Sequence, residues 1–226
     1  MKVAVISANL GAYDRHTEWP TLEAPPGVEV SVHRFTDANF PPRPLAMTAR
    51  LQAGLLKWFG PEFVPGRDVY LWIDASCTPT PIAVTWFLEQ MDEFGSWVAF
   101  FKHPDRQTIR QEYEFIKERL ARPGERYLTS RYAGEWLDEQ FAAIPDKPLS
   151  LTMQNAQLFA STAFVYRDCA NVREMFKEVW FGKTRYHLHD QLWLAKTAYE
   201  HIARVPIRTI EADYLDCPAL TFTRKP

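Results

Sequence analysis

The sequence predicts an α/β protein built on one mostly parallel sheet with flanking helices. Three observations carry this. Six short runs are rich in β-branched and aromatic residues, and segments with helical periodicity lie between them. The run "DVYLWID" is apolar or aromatic at almost every position, which marks a strand buried on both faces.

The predicted strands are Val3–Leu10, Val28–Thr36, Val69–Asp74, Trp97–Phe101, Leu158–Arg167 and Arg204–Ala212. A helix over Leu45–Phe59 carries Leu51, Leu55 and Trp58 on one face, and Gly60 is a natural stop. Thr80 and Pro81 open a second helix that continues from Ile82 to Phe94. In "TIRQ", Thr108 and Gln111 form a capping-box pattern, and Ile109, Tyr113, Ile116 and Leu120 then hold one apolar face until Pro123. A short helix is predicted around Val172–Val179 and a longer one from Asp190 to His201. Residues Pro123–Leu151 are the least regular, interrupted by Pro145 and Pro148, and suit a lid or an acceptor-binding excursion.

With 226 residues the chain suits a single domain, residues 1–226, with a sizeable core. Its 46% hydrophobic and 24% charged content is that of a globular protein. Eight tryptophans serve either a large core or a stacking site. A net charge of −2 gives no global basic field for nucleic acid, which leaves only a local basic groove open. No apolar run approaches the ~20 residues of a membrane span. The N-terminal "MKVAVISANLGAYD" reads as a first strand, since its apolar stretch is too short and too β-branched for a leader. Cys77, Cys169 and Cys217 have no metal-like spacing, so a reduced, cytoplasmic protein is expected.

Ligands of open α/β sheets sit beyond the carboxyl ends of the strands. Four polar clusters fall there: "SANLGAYD", "RFTDANF", "IDAS" and "FKHPDR", and one convergent site is expected from them. Asp74 stands out because it ends a greasy strand, where an unpaired charge is costly.

The order of "VISANLGAYD", "RFTDANF", "ARLQAGLLKWF", "YLWIDAS", "FKHPDR" and "HDQLWLAKTAY" resembles a glycosyltransferase-like family with a GT-A fold. That family, formerly a domain of unknown function, is known from plant proteins linked to mucilage and cell-wall polysaccharides, with bacterial and viral relatives. The resemblance runs from Val3 to about Tyr199. It implies a Rossmann-like nucleotide-sugar transferase, with a UDP-hexose the expected donor. It also implies an acidic motif, usually Asp-x-Asp, that binds Mn²⁺ or Mg²⁺ against the donor diphosphate, where the ion neutralises the leaving charge. Asp74 would then hold that metal. The chain departs from the motif, because Asp-Ala-Ser offers one carboxylate and the Ser76 hydroxyl. Either a weaker metal site, completed by His189, or a cationic side chain in its place would answer this. Asp74 as a cap of the following turn or helix is the structural alternative.

By the same resemblance Ala8, Asn9, Gly11, Tyr13 and Asp14 form the nucleotide pocket. Gly11 would allow close approach and Tyr13 would stack on a base or join the core. Thr36 and Asp37 face the nucleotide or stabilise a turn. Arg50 and Lys57 lie seven apart on one helical face. Arg50 is expected at phosphate and Lys57 on a solvated face. His103 is expected to contact donor sugar or acceptor, and Arg106 the diphosphate; the bland reading makes "KHPDR", with Lys102 and Asp105, a surface loop. In "YHLHDQ", His187 and His189 can face one side, with Asp190 and Gln191 at a helix start. Asp190 is either an N-cap, a general base, or an acid that orients the donor sugar. Gln154 and Asn155 bind sugar hydroxyls or satisfy a turn.

The acceptor is a glycan, a lipid-linked sugar, a protein or a hydroxylated nucleic-acid base. Two rival functions stand beside transfer. One is a nucleotide- or sugar-binding protein on the same scaffold. The other is a nucleotidyltransferase, which would want a glycine-rich, basic loop where only Gly11 and Arg15 occur.

Overall fold

Period-two alternation in the strands sorts the core into two layers. In the first strand, Val3 and Val5 enter one apolar cluster while Ala4, Ile6 and Ala8 enter the other. In the third, Val69, Leu71 and Ile73 join the first cluster and Tyr70 and Trp72 the second. A sheet buried on both faces follows from that pattern. The computed structural model describes residues 1–11, 17–43, 45–93, 95–145, 153–187 and 189–222.

The strands are β1 (Lys2–Asn9), β2 (Glu29–Thr36), β3 (Val69–Ile73), β4 (Cys77–Pro79), β5 (Val98–Lys102), β6 (Phe159–Arg167), β7 (Ile207–Ile210) and β8 (Leu220–Phe222). Six of them form the central sheet in the order β2-β1-β3-β6-β5-β7, and β4 pairs with β8 beside it. β1 runs parallel to β2 and β3, and β5 parallel to β7. β6 alone is reversed, antiparallel to both β3 and β5. The expected α/β class with one mixed, mostly parallel sheet is therefore what forms.

The helices are α1 (Ala49–Trp58), α2 (Gly60–Phe63), α3 (Ala83–Asp92), α4 (Ile109–Ala121), α5 (Thr129–Tyr132), α6 (Leu137–Ala142), α7 (Ala170–Arg185) and α8 (Gln191–His201). α3 covers the face that holds Val3 and Val69, with Phe87 and Met91 buried beneath it. α1, α4, α7 and α8 cover the other face, where α7 packs on both α1 and α8. Among the described residues no helix is long and apolar enough to cross a membrane.

Four element boundaries differ from expectation. α1 begins at Ala49, because Thr48 caps it by accepting from the Leu51 amide at 3.3 Å, and Leu45 is left fully exposed. α7 runs 16 residues to Arg185 and passes through Gly182. That glycine does not stop the helix; a Cβ there would fall 2.1 Å from the Trp193 indole, so the position belongs to a neighbouring helix's side chain. The last sheet strand keeps only Ile207–Ile210. The irregular segment contains α5 and α6, while residues 146–152 lie outside the described residues.

Candidate functional site

A cavity of about 490 Å³ opens beyond the carboxyl ends of β1 and β3. β1 contributes Ala8, and Leu10 and Gly11 follow it; β3 contributes Trp72, with Asp74 and Ala75 just past its end. One face of α1 forms a wall: Ala49 and Arg50, then Ala53 and Gly54, then Lys57. These recur every three to four residues, the spacing that puts side chains on one helical face. Small residues on that face leave the space, and the cations border it. α5 supplies Ser130 and Tyr132, α7 supplies Lys183, and Asp190 stands at the entry to α8.

At the floor, two acids and two lysines meet. Lys57 Nζ lies 3.5 Å from Asp74 Oδ1 and 3.3 Å from Asp190 Oδ2, and it donates to Ser161 Oγ at 3.0 Å. Ser161 in turn donates to Asp190 Oδ1 at 3.2 Å, and Lys183 Nζ lies 3.7 Å from Asp190 Oδ2. The Trp72 indole N–H donates to Asp74 Oδ1 at 2.7 Å. Both lysine side chains are buried, at 8% and 6% exposed. Charges this deep persist only when paired.

The electrostatics follow from that pairing. Burial alone would raise the Asp190 carboxyl, yet Lys57 and Lys183 outweigh it and hold the group well below the usual carboxylate range. Burial pulls the Lys57 ammonium down, but Asp190 and Asp74 together overcome this and raise it. Lys183 is lowered, since burial and the charge of Lys57 prevail over Asp190. Asp74 is raised by burial against the opposing pull of Lys57 and Trp72. With 35% of its side chain open to the cavity, water tempers that rise.

A second network braces this floor from outside. Glu112 of α4 is buried, accepts from the Arg106 guanidinium, and lies 2.8 Å from His189 Nε2. Burial would raise Glu112, but the bond from His189 and the charge of Arg106 bring it down to about 2. Tyr132 contacts His189 Nδ1 at 3.2 Å, stacks on His187 and lies beneath the Arg50 guanidinium. The chain Arg106–Glu112–His189 thus ties α4 to the residue before Asp190.

The expected site residues divide accordingly. Ala8, Gly11, Arg50, Asp74 and Asp190 line the cavity. Asp37 stands behind it, accepting from the Gly11 amide at 2.8 Å and so holding that left-handed turn. Asn9 and Thr36 border a separate small cleft with Trp19 and Arg34. Ser76 and Gln191 flank the cavity residues in sequence without lining it. Tyr13 and Asp14 lie outside the described residues.

Other expectations are corrected. His103 is buried away from the cavity, with Nδ1 accepting from the amides of Asp105 and Arg106, so it builds a turn. The Arg106 guanidinium is engaged by Glu112 and the face of Phe115 and does not line the cavity. Of "FKHPDR", Lys102, paired with Glu211, Pro104 and Asp105 face outward. Gln154 accepts from Arg110, remote from the floor. Asp190 occupies the N-cap position of α8, yet its carboxylate makes no cap bond and turns to the lysines instead. Lys57, expected on a solvated face, is at the centre of the site.

Sequence reasoning missed Lys183, Ser161, Tyr132 and Glu112. Lys183 had one signal: Gly54, one turn before Lys57 in α1, leaves room where a Cβ would come within 3.2 Å of Lys183 Nζ.

The metal expectation meets a poor donor set. Among the described residues no group of three or more His, Cys, Asp or Glu side chains gathers for a cation. His189 is turned to Glu112 and Tyr132, and an ammonium stands between the two carboxylates. Divalent ions want several oxygen ligands at 2.0–2.6 Å, and an ammonium at that point competes with an ion for the same two carboxylates.

No family model and no curated protein sequence matches the chain. Solved structures to which the chain is similar include two glycosyltransferases. One is a glycosyltransferase involved in glycosylation of the major capsid of PBCV-1, 12% identical, covering 99% of this chain and 95% of that one, with a TM-score of 0.45. The other is mouse xyloside xylosyltransferase 1 in its apo form, 10% identical over 94% of this chain and 86% of that one, with a TM-score of 0.46.

Proposed function

We propose that the chain is a glycosyltransferase that binds a nucleotide-sugar, a UDP-hexose first among candidates, and passes the sugar to an acceptor hydroxyl. One observation carries the reading: buried Lys57 and Lys183 face Asp74 and Asp190 at the floor of a cavity beyond the strand ends. Such a floor suits a ligand that is anionic at one end and rich in hydroxyls at the other. The motif order "WIDAS" to "HDQ" supports the same reading.

In the reaction, the bond between sugar C1 and the phosphate oxygen breaks, C1 bonds the acceptor oxygen, and the acceptor's proton passes to the departing diphosphate. Charge builds on the leaving diphosphate, and cations already fixed in the cavity stabilise it with little reorganisation. Arg50 and the lysines supply that charge. Asp190 is held too acidic by its lysines to be an effective proton acceptor at neutral pH. Of the roles expected for it, orienting the donor sugar fits best.

The test follows release of nucleoside diphosphate from UDP-glucose, UDP-galactose, UDP-N-acetylglucosamine and GDP-mannose, by the wild type and by Asp190→Asn. Release by the wild type, reduced about a hundredfold or more in the variant, is expected. Tight donor binding without release under any metal would make the chain a binding protein instead.

A further inference from the structure

We propose that the Lys57 ammonium occupies the place that a divalent cation fills in a metal-dependent sugar transferase, so that this chain binds its donor's diphosphate without metal. The inference rests on the donor-site reading above and goes further, since it fixes how the diphosphate is recognised.

The position is the first argument. Lys57 Nζ is within 3.0–3.5 Å of three oxygens from three different elements: Asp74 after β3, Ser161 in β6 and Asp190 before α8. Those oxygens converge as ligands around an ion would, and the ion they surround is the ammonium. Lys57 does not swing in from solvent, since the residue is buried and its Nζ lies 5.3 Å and 5.8 Å from the centroids of the Trp58 and Trp72 rings.

Charge is the second argument. Among the described residues the floor and wall carry three cations, Arg50, Lys57 and Lys183, against two carboxylates. That leaves a net positive cavity toward an incoming diphosphate before any metal is added. Adding a divalent ion beside Lys57 would set two cations in contact with too few oxygens between them. The motif is also consistent chemically: with Ala75 and Ser76 after Asp74, the strand end offers one carboxylate, which is enough to anchor a lysine and too little for an ion.

Room for the arrangement is built in. Gly54 is the α1 residue that faces Lys183 Nζ, and any side chain there would press on it. Gly54 and Lys57 thus seat both ammonium groups from one helix.

Calorimetry decides the matter. UDP is titrated into the wild type in EDTA and again in Mn²⁺, and then into Lys57→Met and Lys57→Arg; Mn²⁺ alone is titrated into the wild type and Lys57→Ala. The wild type is expected to bind UDP equally with EDTA or Mn²⁺. Lys57→Met should weaken binding about tenfold to a hundredfold, the loss of one charge-assisted contact, with partial recovery in Lys57→Arg. Mn²⁺ should bind Lys57→Ala, whose two carboxylates face a void, and not the wild type. UDP binding that needs Mn²⁺ overturns this inference and leaves the donor site standing. Failure of UDP, GDP, ADP and CDP to bind in either buffer overturns the donor-site reading itself. The wild-type comparison needs no variant, so a Lys57→Met chain that does not fold leaves the test intact.

Discussion

At the scale of single residues, the site turns on groups whose charge the fold compels. Asp190 is the counter-charge to both buried lysines, so Asp190→Asn removes one partner from a desolvated cluster. Breaking such a cluster from one side costs about 3–5 kcal/mol, and thermal unfolding should show a corresponding drop in Tm. His187 gives a pH signature. It is buried, its Nδ1 accepts from the His189 amide at 3.0 Å, and its Nε2 has no hydrogen-bond partner among the described residues. Burial, with His189 and Arg50 nearby, lowers it to about 3. The unfolded chain takes up that proton near pH 6.5, while the folded chain refuses it until about pH 3. Stability from this group is therefore complete above pH 6.5 and declines as the pH falls toward 3. His187→Phe, which keeps the stack on Tyr132, should flatten the loss of Tm between pH 7 and pH 5.

The residue scale is also where sequence reading reached least. Lysines on amphipathic helices are nearly always solvated, so Lys57 looked ordinary. Its acids lie at positions 74 and 190, and its hydrogen-bond acceptor at 161; nothing local announces them. Asp74 was legible because a charge ending an apolar strand demands a partner. Arg106 misled because nothing local announces that its partner Glu112, in the helix that follows, is buried.

At the scale of elements, two glycines set how closely the helices approach. Gly182→Ala would drive a methyl into Trp193 at 2.1 Å and separate α7 from α8. A loss of about 1–3 kcal/mol or more is expected from such overpacking. Gly54→Ala meets the Trp180 ring at 3.1 Å and Lys183 Nζ at 3.2 Å, so the ring and the lysine end must each give by a few tenths of an ångström. It should cost less stability than Gly182→Ala while weakening nucleotide binding, because Lys183 is displaced from the floor. Denaturant unfolding beside calorimetry separates the two effects. The strands were legible for a simple reason: alternation with period two survives in any context that buries both faces. Helix ends were less so, since the cap at Thr48 and the packing at Gly182 are decided by three-dimensional neighbours.

For the molecule as a whole, the cavity lies beyond the strand ends as the strand-end rule expects, and long-range pairing decides which clusters border it. Three of the four predicted loops converge: the first and third line the cavity, and Asp37 of the second braces Gly11. The fourth became the outer brace through Arg106, Glu112 and His189. Glu112 is buried and held down to about 2, so its contribution to stability is present above the usual carboxylate range and lost as the pH falls toward 2. Glu112→Gln should lower Tm at pH 7 and show a smaller further loss on acidification than the wild type.

The most direct measurement is a crystal structure of the wild type with UDP, grown in EDTA. The account predicts the two phosphates against Lys57, Lys183 and Arg50, with no ion between phosphate and Asp74. Phosphates seated in the small cleft by Trp19 and Arg34, or away from the Lys57–Asp190 floor altogether, would contradict it.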